Sequence, residues 1–277
     1  MTNARPVPKD GFFYQSIDLP DLPTIMGQWD LRANVQAYLG GIALAGKRVL
    51  ELGAANGYLS FYMERQGASV IPYDLSPNEL ADVMRYPGLN QAQFEAKCRS
   101  VVAGLNKAWW YGHDALASSL TLHHGTVYEI PEALGPFDVA TFGSILQHLR
   151  DPYSALASAA RITRERIVVT DLVRPPVGPR PRTVDSVSKW WAKASRTEDL
   201  SGMIFNPTLN ADPCVWWSLS AEAVQPILAA VGFSKTTVTY HQQLANPGLV
   251  PWGATPVGEY KGVPQMANFF TIVAERG

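Results

Sequence analysis

The sequence predicts an α/β fold, a mostly parallel sheet with helices on both faces. Three observations predict it. Strand-like and helix-like segments alternate through the first 172 residues. A Gly-rich turn, Gly53-Ala54-Ala55-Asn56-Gly57, follows directly on the apolar strand Val49–Leu52. A carboxylate, Asp74, closes the next apolar strand. Alternation of this kind, with short turns, is the pattern of βαβ units.

Strands are expected at 47–52, 68–73, 119–123, 137–142 and 166–171. Helices are expected between them at 57–66, 78–86, 90–118 and 152–162. Ahead of the first strand, residues 30–45 carry Leu31, Val35, Tyr38 and Leu39 at helical spacing. Asp151-Pro152 is a helix start, with the carboxylate as cap and proline in the first turn. From 174 to 215 no periodicity survives, and the stretch is too long for a plain connector. It is read as part of a substrate-binding insertion over 173–219. A helix at 220–231 then starts on Ser220 and stops at Gly232, and strands at 235–240 and 268–274 follow as an antiparallel addition at the sheet edge. The expected organisation is one domain over 1–277: an arm or lid (1–29), a cofactor-binding core (30–172), the insertion, and a C-terminal helix with edge strands (220–277). The arm is Pro-rich, yet Phe12, Phe13, Tyr14 and Trp29 make it too apolar to hang free.

With 47% hydrophobic residues the chain has material for a sizeable core, and a net charge of −1 argues against a basic nucleic-acid footprint spread over the whole chain. Cys98 and Cys214 lie far apart with no spacing pattern, so two separate thiols in a reducing cytoplasm are expected rather than a disulfide framework or a zinc site. The N-terminus has no apolar signal segment, and no apolar run reaches 18 residues, so no membrane span is expected.

The turn at 53–57 brings backbone close to a ligand, with the amides of the following helix aimed at it. It is not a phosphate loop, because no Gly-Lys-Ser/Thr follows. Nor does it suit a dinucleotide: the third small residue comes one position early, and Tyr58 stands where a pyrophosphate needs room. Asp74 is placed to accept hydrogen bonds from ribose hydroxyls. The ligand expected is therefore an adenosine without that phosphate.

The stretch "VLELGAANGYLSFYMERQGASVIPYDLS" resembles the S-adenosylmethionine-binding core of Rossmann-like (class I) methyltransferases. "LTLHHGTVYEIP" and "FDVATFGSILQHLRDPYSAL" extend the likeness over about residues 30–172. The resemblance implies a three-layer sandwich on a seven-stranded, mostly parallel sheet with an antiparallel C-terminal strand. It also implies that Glu51, Gly53, Ala55 and Gly57 cradle the methionine half of the cofactor and that Asp74 holds the ribose. Tyr58, Leu75 and Gly143 join this set, and Thr126 with Val127 flank the adenine; the acid that many members carry there is replaced by Thr126. S-adenosylhomocysteine is the implied product.

Methyl transfer needs an aligned acceptor and, where the acceptor carries a proton, a base. His148 follows the fourth strand, where open α/β sheets bind their ligands, and is the first candidate; Asp171 and Tyr14 are further catalytic candidates. Trp29, Trp190, Trp191, Trp216, Trp217, His148 and His241 are candidates to line a substrate pocket. Such a pocket suits an aromatic, apolar or amine-bearing small molecule. No clustered carboxylates suggest a metal, so metal-independent transfer to O, N or C of a metabolite or natural-product intermediate is expected. A homodimer is compatible with the chain. Of the clustered arginines, Arg161, Arg164 and Arg166 are read as a solvated helix end; Arg174, Arg180 and Arg182 in the Pro-rich loop could meet a phosphate or RNA backbone and, with a likeness of "GSILQHLRDP" and the wide loop after the fifth strand to tRNA wobble-uridine carboxymethyl transferases, leave an RNA-modifying transferase as the alternative.

Overall fold

In a computed structural model the chain is described over residues 6–85, 88–173, 202–205, 213–247, 249 and 263–277. Among these residues one sheet has eight strands, in the order β1-β9-β10-β6-β5-β2-β3-β4. Its strands are β1 (Trp29–Asp30), β2 (Arg48–Leu52), β3 (Ser69–Asp74), β4 (His123–His124), β5 (Phe137–Gly143), β6 (Thr163–Leu172), β9 (Lys235–Ala245) and β10 (Gln265–Glu275). A separate two-stranded pair joins β7 (Met203–Phe205) to β8 (Trp217–Leu219). Strands β2 to β6 run parallel, and β10 runs antiparallel to both β6 and β9. This is the predicted mostly parallel sheet with its antiparallel C-terminal strand. The two-residue β1 adds an eighth strand by pairing antiparallel with β9.

The helices are α1 (Val35–Tyr38), α2 (Tyr58–Arg65), α3 (Gln91–Leu116), α4 (Pro152–Ile162) and α5 (Ala221–Ala230). Their ends follow local chemistry. Asp151 accepts from the Ser154 amide at 3.0 Å with Pro152 in the first turn, and Ser220 accepts from the Ala223 amide at 3.3 Å. Caps of this type are each worth about 1 kcal/mol. Two hydrophobic clusters flank the sheet. One gathers the arm, α2 and α3 around Phe13, Ile17, Phe61 and Trp109; the other gathers α4 and α5 around Phe137, Leu156, Leu228 and Phe233. Burial on both faces explains why β2 and β5 are mostly apolar, with Glu51 and Thr141 buried among their apolar neighbours. Trp109 is fully buried while its neighbour Trp110 is 43% exposed, as adjacent positions on a helix require.

Three expectations are corrected. The helix over 30–45 shrinks to one turn, because Trp29-Asp30 is drawn into the sheet and Gly40 and Gly41 both take positive φ. The strand over 119–123 shrinks to His123–His124. The helix over 78–86 does not form through residue 85: its polar groups serve other segments instead. The Asp82 carboxylate accepts from the Tyr128 hydroxyl and the Arg150 amide, the Asp82 carbonyl accepts from Trp216 Nε1 (3.1 Å), and the Met84 amide donates to the Pro213 carbonyl (2.9 Å). Tertiary partners override helix propensity in that strap.

The arm packs on the core as expected, burying Phe13, Ile17, Leu19 and Ile25. Arg32 anchors it, donating bidentately to Asp30 and reaching Asp18 at 2.6 Å. No helix among the described residues is long and apolar enough to cross a membrane.

Candidate functional site

The C-terminal ends of β2 to β6 form one edge of the sheet. The register places Leu52 beside Tyr73 and Phe142, Asp74 beside His124, and Gly143 beside Thr170. The turn after β2, Asp74, the loop at Thr126–Val127 and the loop from Gly143 to His148 therefore converge there. Ligands of open α/β sheets bind at such an edge.

The turn is built by conformation. Gly53 has φ +80° and Gly57 +85°, and Ala55 adopts +50°. A Cβ on Gly57 would lie 2.5 Å from Phe61 and 2.8 Å from Trp109. The Ala55 amide donates to Asp74 Oδ2 at 2.8 Å, and the Leu75 amide to Oδ1 at 2.7 Å. Burial raises the Asp74 pKa against the opposing pull of these two amides. The carboxylate thus ties the turn to β3 and presents its remaining lone pairs at the edge. The arm closes over the same turn: Asn56, fully buried, accepts from the Gln15 amide (2.7 Å) and donates to the Gln15 carbonyl (3.0 Å). Sequence reading passed over this pair, because nothing local marks an asparagine as the partner of a segment 41 residues away.

Glu51 is buried, with Oε2 accepting from Ser60 Oγ, which in turn accepts from Trp109 Nε1 at 3.4 Å. Its Oε1 is buried with no hydrogen-bond partner among the described residues. Burial pushes the Glu51 carboxyl up to about 8, and the Asp74 charge adds to this. A small cavity beside it is lined by Tyr38, Gly53, Leu59, Thr141, Gly143 and Thr170. An orphaned acceptor oxygen next to glycine backbone fits the ammonium of the methionine half of S-adenosylmethionine, with Asp74 left for the ribose. The residues present therefore fit that cofactor. Leu75 is half-buried just beyond Asp74; Val127 and Tyr58 are buried, and burial raises the Tyr58 phenol to about 12. Thr126 accepts through Oγ1 from the Tyr128 amide at 3.3 Å.

The pKa of Glu51 predicts a pH dependence. Folding raises it from 4.5 to about 8, so between those values the folded chain binds more protons than the unfolded one and loses stability as pH rises. Glu51→Gln should leave thermal stability without ligand near wild type at about pH 5 and exceed it at about pH 9. Parallel melts test this. The same offset at both pH values would show that Glu51 is not a buried acid.

On the other side of the edge, the Ser144 hydroxyl meets Tyr38 Oη at 2.9 Å, at a residue with φ +55°. His148 ends a 3-10 turn (Leu146–His148), and its Nδ1 donates to the Cys214 carbonyl at 2.9 Å. A carbonyl only accepts, so in the neutral ring Nδ1 carries the proton and the lone pair sits on Nε2. Asp171 is buried on β6, where its Oδ1 accepts from the Leu172 amide at 2.8 Å. Tyr14 lies on the arm, its carbonyl accepting from the Trp29 amide at 3.0 Å. Trp216 and Trp217 bind the site loops: Trp217 Nε1 donates to the Leu149 carbonyl (2.8 Å) and the Trp216 amide to the Gln147 carbonyl (2.8 Å). Trp29 packs edge-on against Phe269 at 5.2 Å. His241 stacks on Phe269; it accepts from Gln243 at Nδ1 (3.1 Å) and donates to Thr271 Oγ1 from Nε2 (2.9 Å). Its burial lowers its pKa. Both ring nitrogens thus serve the network joining β9, β10 and Tyr38. Trp190, Trp191, Arg174, Arg180 and Arg182 lie outside the described residues.

A ubiquinone biosynthesis O-methyltransferase of Xanthomonas oryzae pv. oryzae is 27% identical over 246 residues, covering 75% of this chain and 92% of that protein. Its counterpart in Hahella chejuensis is 32% identical over 123 residues, 44% of this chain and 41% of that protein. Among solved structures, the magnesium protoporphyrin IX methyltransferase of Synechocystis PCC 6803 with bound S-adenosylhomocysteine superposes with a TM-score of 0.45 at 16% identity, covering 88% of this chain and 81% of that one. The family described as "Methyltransferase domain" matches residues 28–236, from the end of the arm to the start of β9. The chain belongs to this methyltransferase family and is an S-adenosylmethionine-dependent methyltransferase.

Proposed function

We propose that the protein methylates a hydroxyl group on an aromatic or apolar small molecule, with His148 as the base that removes the hydroxyl proton. The observation that carries this is the Nδ1 hydrogen bond of His148 to the Cys214 carbonyl, 2.9 Å long, at the exit of β5. It fixes the tautomer, with the lone pair on Nε2 of a residue in the loop that follows β5 at the cofactor edge. S-adenosylmethionine supplies a methyl group on a sulfonium, an already activated leaving group. The protein's own share is to align the acceptor and take its proton. In this reading Trp29, Trp216 and Trp217 serve as aromatic walls for the acceptor, and Tyr14 on the arm and Asp171 on β6 orient it. The matched relatives are O-methyltransferases by name, which supports oxygen over nitrogen or carbon.

The test is incubation with methyl-labelled S-adenosylmethionine and a panel of phenols, amines, carbon acids and total tRNA, with and without EDTA. Label is expected on phenolic oxygen, undiminished by EDTA. Label on amines, carbon or RNA alone would overturn the acceptor assignment, and loss of turnover in EDTA would overturn metal independence.

A further inference from the structure

Two cysteines with no spacing relation in the sequence meet in the fold. Cys98 of α3 and Cys214 of the segment leading into β8 are both buried, with their sulfurs 3.6 Å apart across 116 residues of chain. That is van der Waals contact between thiols. A disulfide needs the sulfurs at about 2.05 Å, about 1.5 Å closer. The segment holding Cys214 is tied into the site on every side: Pro213 to Met84, Cys214 to His148, Trp216 to Gln147 and Asp82, Trp217 to Leu149.

We propose that Cys98 and Cys214 are an oxidation site that closes into a disulfide and staples this segment to α3. The oxidant is a peroxide. One thiolate attacks the O–O bond, giving a sulfenic acid and, after protonation, water. The second thiol then attacks that sulfur, forming the S–S bond and releasing a second water. Two electrons pass from the two sulfurs to the peroxide, and a dithiol reductant reverses the change by exchange. The staple falls on the residue whose carbonyl orients His148. Oxidation therefore holds the 213–217 segment down over the cofactor edge and slows ligand exchange. That last consequence rests on the site reading above; the cross-link itself does not.

The experiment treats the reduced full-length chain with stoichiometric hydrogen peroxide. The expected result is an intact mass lower by two hydrogens and a Cys98–Cys214 linked peptide in a monomer. S-adenosylhomocysteine dissociation should slow severalfold and return to its starting rate with dithiothreitol. Cys98→Ser and Cys214→Ser should each abolish the link, and Cys98→Ser, on α3 away from the cofactor residues, should bind the ligand like the reduced wild type. Thiols that stay reduced, thiols that over-oxidise separately, or a linked protein with unchanged ligand exchange would each overturn the proposal. A reduced wild type that binds no S-adenosylhomocysteine would fail the cofactor reading instead, and the mass shift would still decide the thiol pair.

Discussion

Replacing His148 by alanine should lower kcat by about two to four orders of magnitude, the range for loss of a positioned general base. Affinity for S-adenosylhomocysteine should stay near wild type. The reason is geometric: His148 follows β5 in a separate 3-10 turn, whereas the residues assigned to the methionine and ribose ends of the cofactor, Glu51 and Asp74, stand on β2 and β3. Alanine also removes the donor that satisfies the Cys214 carbonyl. His148→Asn is therefore the sharper variant, since its amide can keep that hydrogen bond but offers no basic nitrogen. It should lose kcat like alanine while melting closer to wild type. The loss should shrink for acceptors acidic enough to be ionised already, because they need no base. A raised KM with kcat preserved, in both variants, would make His148 a wall of the pocket and not its base.

Asp74→Ala should weaken S-adenosylmethionine binding about ten- to a hundredfold, which corresponds to about 1.5–3 kcal/mol for charge-assisted hydrogen bonds. Two effects act together. The carboxylate is lost as an acceptor for the ribose, and the amides of Ala55 and Leu75 lose the oxygens that hold the turn in place. The second effect bears on Ala55, which sits at φ +50° without being glycine and keeps that conformation through this bond. Asp74→Asn keeps one acceptor oxygen and should fall between wild type and alanine. Calorimetry on the three proteins measures this. Binding of the alanine variant within twofold of wild type would remove Asp74 from the cofactor site.

Much of this architecture was legible without coordinates. Strands β2, β3, β5 and β6 announced themselves as apolar runs closed by Gly, Asp or a polar loop. Helices α4 and α5 carried their caps in plain view at Asp151 and Ser220, and both caps form. These signals are local: a strand period, a cap, a glycine at positive φ, all set by residues a few positions apart.

Other features answer to which segments the sheet order brings together. Residues 78–85 carry a helical pattern but spend their polar groups on Tyr128, Arg150, Trp216 and Pro213, partners up to 134 residues away. His241 gives both ring nitrogens to Gln243 and Thr271, partners that no local pattern names. Cys98 and Cys214 read as unrelated thiols and stand in contact. The α/β alternation and the helix caps are written locally in the chain, because propensity and periodicity act within a few residues. The Gln15–Asn56 clasp, the tautomer of His148 and the thiol pair come from packing, because a buried polar group or sulfur takes whichever partner the fold delivers, and that choice leaves no local mark.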